Sequence, residues 1–189
     1  MTDRRRLGAS WEAALVERVR AAARAGVHLV QVRERDLDGG PLARLVSSCV
    51  DAVRGTRARI LVNDRLDVAL AAGAHGVHLR GDSFDARRGR AWAPPPFLIG
   101  RSVHSLAEAV AAAHEGAADY LIFGTVYETS SKPGGPIAGV AELASVTAAT
   151  PLPVLAIGGI TPARIDEVMA AGASGVAGIS MFDTSGRVP

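Results

Sequence analysis

The chain has 189 residues, a length that predicts one domain with a sizeable hydrophobic core. A net charge of +2 and an aromatic content of 4% argue against a nucleic-acid-binding protein, which would need a basic surface and stacking rings. No apolar run is long enough to span a membrane, and no apolar segment follows Arg4-Arg5-Arg6 as in a secretion signal. A cytoplasmic protein with no membrane partner is therefore expected.

Seven short apolar segments alternate with helical patterns along the chain. They are nearly continuous in apolar residues, which is typical of parallel strands buried on both faces. The predicted strands are His28–Arg33, Arg59–Asn63, Gly76–Leu79, Leu98–Ser102, Asp119–Gly124, Pro153–Gly158 and Gly175–Ser180.

The helices between these segments have readable starts and ends. Ser10 is expected to cap a helix that runs from Trp11 to about Arg24, and Pro41 is expected at a first helical position. The run Ser105-Leu106-Ala107-Glu108 has the spacing of a capping box. The lone cysteine, Cys49, lies in an apolar helical pattern and is expected in the core. Glycines are expected to end four helices, at Gly26, Gly73, Gly116 and Gly172.

A repeated pattern favours one fold class. Ala71–Val77 reads AAGAHGV and Ala170–Val176 reads AAGASGV, each a helix end, a glycine turn and the start of a strand. Reuse of this unit predicts an α/β fold, a (β/α)8 TIM barrel of parallel strands, as a single domain over residues 1–189. An open doubly wound sheet is the alternative, but no G-x-G-x-x-G follows the first strand.

Both ends of the sequence are short for such a barrel. Only Met1–Leu7 precede the first helix, too few for a full first strand, and nine residues follow Ser180, too few for a last helix. We therefore expect either a barrel that lacks a full first strand and last helix, or an incomplete sequence.

Lys132 is the only lysine, against twenty arginines. A compact ammonium and a planar guanidinium are not interchangeable at a tight anion site, so a lysine kept among arginines indicates a specific role. The segment Gly124–Lys132, GTVYETSSK, places three hydroxyl side chains directly before this ammonium. It predicts a cradle for phosphate oxygens; the alternative is a polar surface loop.

Further candidates follow other strands, where the functional residues of such barrels lie. Gly158-Gly159 precede a helix that Thr161-Pro162 is expected to start, so their amides could bind an anion, although two glycines could also form only a tight turn. Arg33 and Arg35 alternate on a predicted strand and could clamp a pyrophosphate with Lys132. The alternative is a surface charge cluster over Arg33–Asp36.

Asp64 ends the second strand segment and is a candidate Mg²⁺ ligand, because Mg²⁺ prefers carboxylate and phosphate oxygens. The alternative is a helix cap, with Asp67 three residues further on. His78, inside GVHL, is interpreted as a buried, hydrogen-bonded histidine rather than a base.

From about Gly26 to Phe182 the sequence resembles the thiamine-phosphate synthase and thiazole tautomerase family. The initial TDR, Thr2–Arg4, resembles the tail of that family's first strand. The other motifs that carry the resemblance, in chain order, are QVRERD (Gln31–Asp36), NDR (Asn63–Arg65), GVHL, GRSVHS (Gly100–Ser105), GTVYETSSK, AIGGI (Ala156–Ile160) and GVAGIS.

The resemblance implies a synthase that joins a pyrimidinylmethyl pyrophosphate to a thiazole phosphate, with Mg²⁺ as cofactor and phosphorylated small molecules as substrates. The implied metal ligands are Asp64 and Asp82, the latter because Ser83 stands where the family has a second carboxylate. The implied catalytic residues are Lys132, Arg35 (a lysine in the synthase) and Ser102. The implied substrate-binding residues are Gln31, Arg33, Asn63, Thr129, Ser131, Gly158, Gly159, Ile179 and Ser180.

Two alternatives remain open at this point. GRSVHS and YETSSK are similar to the tautomerase, which needs no metal, but Thr125 stands where its catalytic histidine is expected, so His104 or His78 would have to serve. A paralogue that binds thiazole phosphate without turnover is the other alternative. A homodimer is the expected oligomer only because dimers are commonest in general.

Overall fold

The structure of the protein is a computed structural model that describes residues 1–129 and 133–179. The described chain divides into two compact units. Of the described residues, the first contains Met1–His78 and Pro95–Leu98, and the second contains Leu79–Pro94, 99–129 and 133–179. The expectation of a single domain stays a prediction.

The first unit contains a sheet whose strands are parallel and hydrogen-bonded in chain order. Strand β1 pairs with β2 in the register Gln31↔Leu61, and β2 pairs with β3 in the register Asn63↔His78. A 3₁₀ helix over Arg4–Arg6 precedes them. The elements are α1 (Trp11–Arg24), β1 (Leu29–Val32), α2 (Gly39–Ala52), β2 (Arg59–Asn63), α3 (Leu66–Ala71) and β3 (Gly76–Leu79).

The second unit repeats the same alternation of helix and strand. Its elements are α4 (Ala86–Trp92), β4 (Leu98–Val103), α5 (Leu106–Glu115), β5 (Tyr120–Phe123), α6 (Gly139–Ala149), β6 (Val154–Ile157), α7 (Ile165–Ala170) and β7 (Gly175–Ala177). Strands β4 to β7 are parallel and pair in chain order. A 3₁₀ helix over Pro162–Arg164 leads into α7.

All seven predicted strands are present. Strands β3 and β5 are buried along their whole length, as their composition predicted, whereas the residues of β7 are only partly buried. In β2, the consecutive residues Ile60, Leu61 and Val62 are all buried, which requires cover on both sides of the sheet. Cys49 is buried in α2, and burial raises the pKa of its thiol to about 12, so its assignment to the core is confirmed. In the described residues, no helix is long and apolar enough to cross a bilayer.

The helix ends confirm some predicted caps and correct others. The hydroxyl of Ser105 accepts from the amide of Glu108 as predicted, but the Glu108 carboxylate accepts from the amide of His104, one residue before the cap. Ser10 makes no capping hydrogen bond, because its backbone is not in the extended conformation of capping residues. Helix α2 begins at Gly39, so Pro41 is its third residue and not its first, which the sequence had predicted.

One histidine takes part in the ladder between strands. The His75 Nδ1 atom accepts a hydrogen bond of 3.0 Å from the backbone amide of Ile60. An imidazole can accept only in its neutral form. Burial, and secondarily the charge of Arg59, lowers the pKa of His75, which keeps the ring neutral.

We therefore expect His75 to make stability depend on pH. Because the folded pKa lies below the unfolded value of about 6.5, the unfolded chain binds the proton first, and stability falls as pH drops below that value. In His75→Asn the amide oxygen can still accept from Ile60 but does not titrate. Urea unfolding between pH 7.5 and pH 5 should show a shallower loss of stability in the variant. Parallel curves for the two proteins would contradict this assignment.

Candidate functional site

Gln31 of β1 and Asn63 of β2 meet near the carboxyl ends of two paired strands. The Gln31 amide nitrogen donates to the side-chain oxygen of Asn63 at 3.1 Å. Gln31 is only 5% exposed, and its side-chain oxygen is buried without a hydrogen-bond partner in the described structure. A buried acceptor without a donor costs about 1–3 kcal/mol, and such groups in native proteins call for an explanation. A ligand that donates a hydrogen bond to the Gln31 side-chain oxygen would explain why this oxygen has no partner in the described residues.

Arg33 and Arg35 follow directly after this position. Arg33 is half-buried and makes no side-chain hydrogen bond or ion pair with another described residue. Burial lowers the pKa of Arg33, and the neighbouring charge of Arg35 lowers it further. Two guanidinium groups that repel each other, one of them partly desolvated, favour an anion at this place.

The predicted alternation of these arginines on a strand is wrong, and the alternative of a surface cluster is wrong for Glu34, although Arg35 and Asp36 are exposed. Strand β1 ends at Val32, because the amide of Arg33 donates to the hydroxyl of Thr2 at 3.0 Å rather than to a neighbouring strand. Glu34, placed in that surface cluster, is only 4% exposed. It accepts hydrogen bonds from the Thr2 hydroxyl and the Arg4 amide.

Asp64 follows β2 in a backbone conformation that few side chains adopt. Its φ is 63°, and in the described part of the chain it is the one residue other than glycine with a positive φ. Its amide donates to the His78 carbonyl at 2.9 Å. Helix α3 begins one residue later than a cap at Asp64 would require, with Arg65 at the N-cap. Strained residues of this kind cluster at functional sites, which supports Asp64 as a candidate.

His78 lies in β3, opposite Asn63 in the strand register. It is 2% exposed, and burial lowers its pKa to about 4 against a weaker opposing effect of Asp64. The ring is therefore neutral at neutral pH, and the interpretation of His78 as a buried histidine is confirmed.

In the second unit, the loop after β5 lies along the end of β6. The amide of Val126 donates to the Ile157 carbonyl at 2.9 Å, and the amide of Tyr127 donates to the Gly158 carbonyl at 3.0 Å. A Cβ atom on Gly158 would lie 2.5 Å from the Thr125 methyl group. The two glycines therefore allow a close backbone approach.

Sequence reasoning missed the side chains that support this glycine pair. Arg164 donates to the Gly159 carbonyl at 2.7 Å, and its guanidinium lies 4.3 Å from the centre of the Tyr127 ring. The Tyr127 hydroxyl donates to Glu167 at 2.6 Å. Partial burial, followed by this bond, raises the pKa of Tyr127 to about 12. The tyrosine in GTVYETSSK is visible in the sequence, but Glu167, which accepts its hydrogen bond, lies forty residues further along the chain and could not be identified as its partner.

The backbone amides of Gly159 and Ile160 donate to no acceptor in the described residues. They are therefore available to an anion, as the glycine motif predicted. Thr161 precedes the 3₁₀ helix Pro162–Arg164 but makes no capping hydrogen bond with its side chain.

The remaining predicted residues are less defined. Ser102 lies on β4 in register with Ile122, and Asp82 is an exposed carboxylate 3.4 Å from Arg80. The imidazole Nδ1 of His104 contacts the Gly124 carbonyl. Thr129 and Ile179 are partly exposed residues at the borders of the described segments. Three predicted residues, Ser131, Lys132 and Ser180, lie outside the described residues.

Comparison with known proteins identifies the family of this chain. A sequence profile of the family described as thiamine monophosphate synthase matches residues 2–182. The chain belongs to this family. Thiamine-phosphate synthase of Methanoculleus marisnigri is 45% identical over 170 residues, which are 89% of this chain and 80% of that protein. The enzyme of the same name from Roseiflexus castenholzii is 40% identical over 181 residues, 95% of this chain and 78% of that protein.

Solved structures confirm the predicted fold class. Thiamine phosphate pyrophosphorylase from Pyrococcus furiosus superposes with a TM-score of 0.80 at 34% identity, over 93% of this chain and 82% of that one. A 3-hexulose-6-phosphate synthase shares the fold alone, with a TM-score of 0.67 at 19% identity over 88% of this chain and 84% of the other. The predicted family is confirmed as well, whereas the assignment of individual site residues stays a prediction.

We expect Gly159→Ala to destabilise the protein by about 2–4 kcal/mol. Its φ of 62° is unfavourable for alanine, and the new Cβ would lie 2.9 Å from the Tyr127 Cβ atom and from the Tyr127 carbonyl oxygen. Gly8→Ala is the matched control, since no atom lies within 4 Å of its added Cβ. Urea unfolding of the two variants tests this. Equal free energies of unfolding would show that the loop after β5 moves aside at no cost and would contradict the prediction.

Proposed function

We propose that the protein condenses hydroxymethylpyrimidine pyrophosphate with a thiazole phosphate to give thiamine phosphate and pyrophosphate, or with the thiazole phosphate carboxylate to give the same products and CO2. The observation that carries the proposal is the family match over residues 2–182, with relatives named thiamine-phosphate synthase at 40–45% identity. The protein is then a transferase of thiamine biosynthesis. The bond from the pyrimidine methylene carbon to the pyrophosphate oxygen breaks, and a bond from that carbon to the thiazole nitrogen forms.

The first unit would bind the pyrimidine pyrophosphate. The unpartnered Gln31 oxygen would accept a hydrogen bond from the amino group of the pyrimidine, while Asn63 holds the Gln31 side chain in place. Arg33 and Arg35 would bind the pyrophosphate. For Lys132 and the hydroxyls of Thr129 and Ser131, a role in pyrophosphate binding stays a prediction from the sequence. Cationic groups stabilise the negative charge that develops on the leaving pyrophosphate. Ser102 is proposed to assist this step.

The second unit would bind the phosphate of the thiazole. The amides of Gly159 and Ile160, available in the described structure, are suitable donors to phosphate oxygens. Gly158, Ile179 and Ser180 complete this proposed set. Arg164 and Tyr127 would act only indirectly, by holding the Gly159 carbonyl and its loop.

Mg²⁺ is the proposed cofactor, with Asp64 as its principal ligand and Asp82 as a second. The described residues contain no cluster of three or more His, Cys, Asp or Glu side chains suited to a metal. One or two carboxylates are compatible with Mg²⁺, which commonly completes its shell with water and substrate phosphates. When bound, Mg²⁺ would neutralise charge on the pyrophosphate. The strained conformation of Asp64 supports its role, and the exposed Asp82 is the weaker candidate.

A single assay tests the proposal. Purified protein is incubated with the pyrimidine pyrophosphate, the thiazole phosphate carboxylate and Mg²⁺, and thiamine phosphate is detected after oxidation to fluorescent thiochrome. Formation of product supports the proposal. The tautomerase and binding-only alternatives both predict no thiamine phosphate from intact substrates.

Gln31→Met should separate activity from stability. The variant keeps the side-chain length but loses the acceptor, so kcat/KM for the pyrimidine pyrophosphate should fall about tenfold or more. Because the Gln31 oxygen has no partner, thermal stability should be unchanged or higher, apart from the lost bond to Asn63. Kinetics and melting curves on the same preparation measure both. A large loss of stability with normal kcat/KM would show a purely structural role.

Asp64→Asn should reduce the Mg²⁺-dependent activity at least a hundredfold, and EDTA should abolish the activity of the natural protein. Asparagine tolerates the positive φ, so the backbone is expected to persist. Asp67→Asn is the matched control. Asp67 lies three residues after Asp64, and its exposed carboxylate accepts hydrogen bonds from Arg65. Near-normal turnover by Asp64→Asn, or activity that survives EDTA, would contradict the assignment.

A further inference from the structure

We infer that Thr2 is a positioning residue for the pyrimidine pyrophosphate, an inference that rests on the proposed function of Gln31 and Arg33. Thr2 lies in the short segment before α1, about thirty residues from those two positions. Its backbone amide donates to the Gln31 carbonyl at 2.9 Å, which aligns the segment with the end of β1.

The hydroxyl of Thr2 links two further groups of the same segment. It accepts from the Arg33 amide at 3.0 Å and donates to the Glu34 carboxylate at 2.6 Å. A hydroxyl can donate and accept at once, so this one oxygen ties the Arg33 backbone amide to the Glu34 side chain. Thr2 thereby contacts Gln31, Arg33 and Glu34, although its side chain is not itself aimed at a substrate group.

Glu34 is the anchor that holds Thr2 in place. It is 4% exposed, and its two carboxylate oxygens also accept from the Arg4 amide at 3.2 and 3.1 Å. The Arg4 guanidinium pairs with Asp36 at 2.6 Å and lies 4.9 Å from the centre of the Trp11 ring. The segment before α1 is therefore fastened at several points to the loop that carries both arginines.

The consequence is a fixed backbone position from which the Arg33 side chain extends. Strand β1 ends at Val32, so no ladder hydrogen bond orients the backbone of Arg33. Its amide is held by Thr2 instead, and its guanidinium is left without a partner in the described residues. A displacement of about 1 Å in a group that binds the reacting part of a substrate can cost on the order of a hundredfold in rate.

The test compares Thr2→Val with Thr2→Ser. Valine removes the hydroxyl and keeps the shape, so KM for the pyrimidine pyrophosphate should rise about tenfold, whereas KM for the thiazole phosphate should stay within about twofold. Serine restores the hydroxyl and should restore the natural KM. Thr2→Ala serves as a second hydroxyl-free variant in case valine prevents folding.

Thr56→Val is the matched control in the same unit. The Thr56 hydroxyl also donates and accepts at once, donating to the Val53 carbonyl at 2.7 Å and accepting from the Ala58 amide at 3.2 Å. It should lower the melting temperature and leave both KM values unchanged. The inference is overturned if Thr2→Val and Thr2→Ala behave as the natural protein, or if they change both KM values equally.

Binding of inorganic pyrophosphate with Mg²⁺, followed by calorimetry, separates this inference from the proposed function. If the natural protein binds pyrophosphate but makes no thiamine phosphate, the proposed function fails. Weaker binding by Thr2→Val and recovery by Thr2→Ser would still support positioning by Thr2. Equal binding by all three proteins would overturn it whether or not product forms.

Discussion

Parallel strands that are buried on both faces leave little room for polar side chains except near their ends. In β2, apolar side chains occupy every position from Ile60 to Val62, and Asn63 and Asp64 are the first polar groups that follow. Gln31 shows how costly an exception is, because its buried side-chain oxygen has no partner in the described residues. The sheet therefore concentrates polar chemistry at the carboxyl ends of its strands.

The two units solve the problem of holding these groups in different ways. In the first unit, a buried carboxylate, Glu34, collects hydrogen bonds from Thr2 and Arg4 and keeps the loop after β1 in place. In the second unit, glycines without side chains let two backbone segments touch, and Arg164 fastens one of them from outside. Both solutions leave hydrogen-bonding groups without partners in the described residues, as a site for an anionic ligand requires.

The fold, and the positions of the candidate residues directly after its strands, were readable from the sequence because they depend on local patterns. Short apolar runs located all seven strands, and the glycine pair predicted amides open to an anion. Contacts between distant residues were not readable. Glu34 looked like part of a charged surface, since nothing local shows that Thr2 and Arg4 cover it. The capping role of Glu108 was predicted, but the amide it reaches belongs to His104, a detail set by backbone geometry.

The contact of Thr2 with β1 has a practical side. Because its amide and hydroxyl are both engaged, the peptide bond directly before Thr2 has a defined direction. A purification tag or fusion partner joined at that point would have to follow this direction or pull Thr2 away from Arg33. Tagged preparations would then differ in substrate affinity, so for enzymological work a tag is better placed elsewhere.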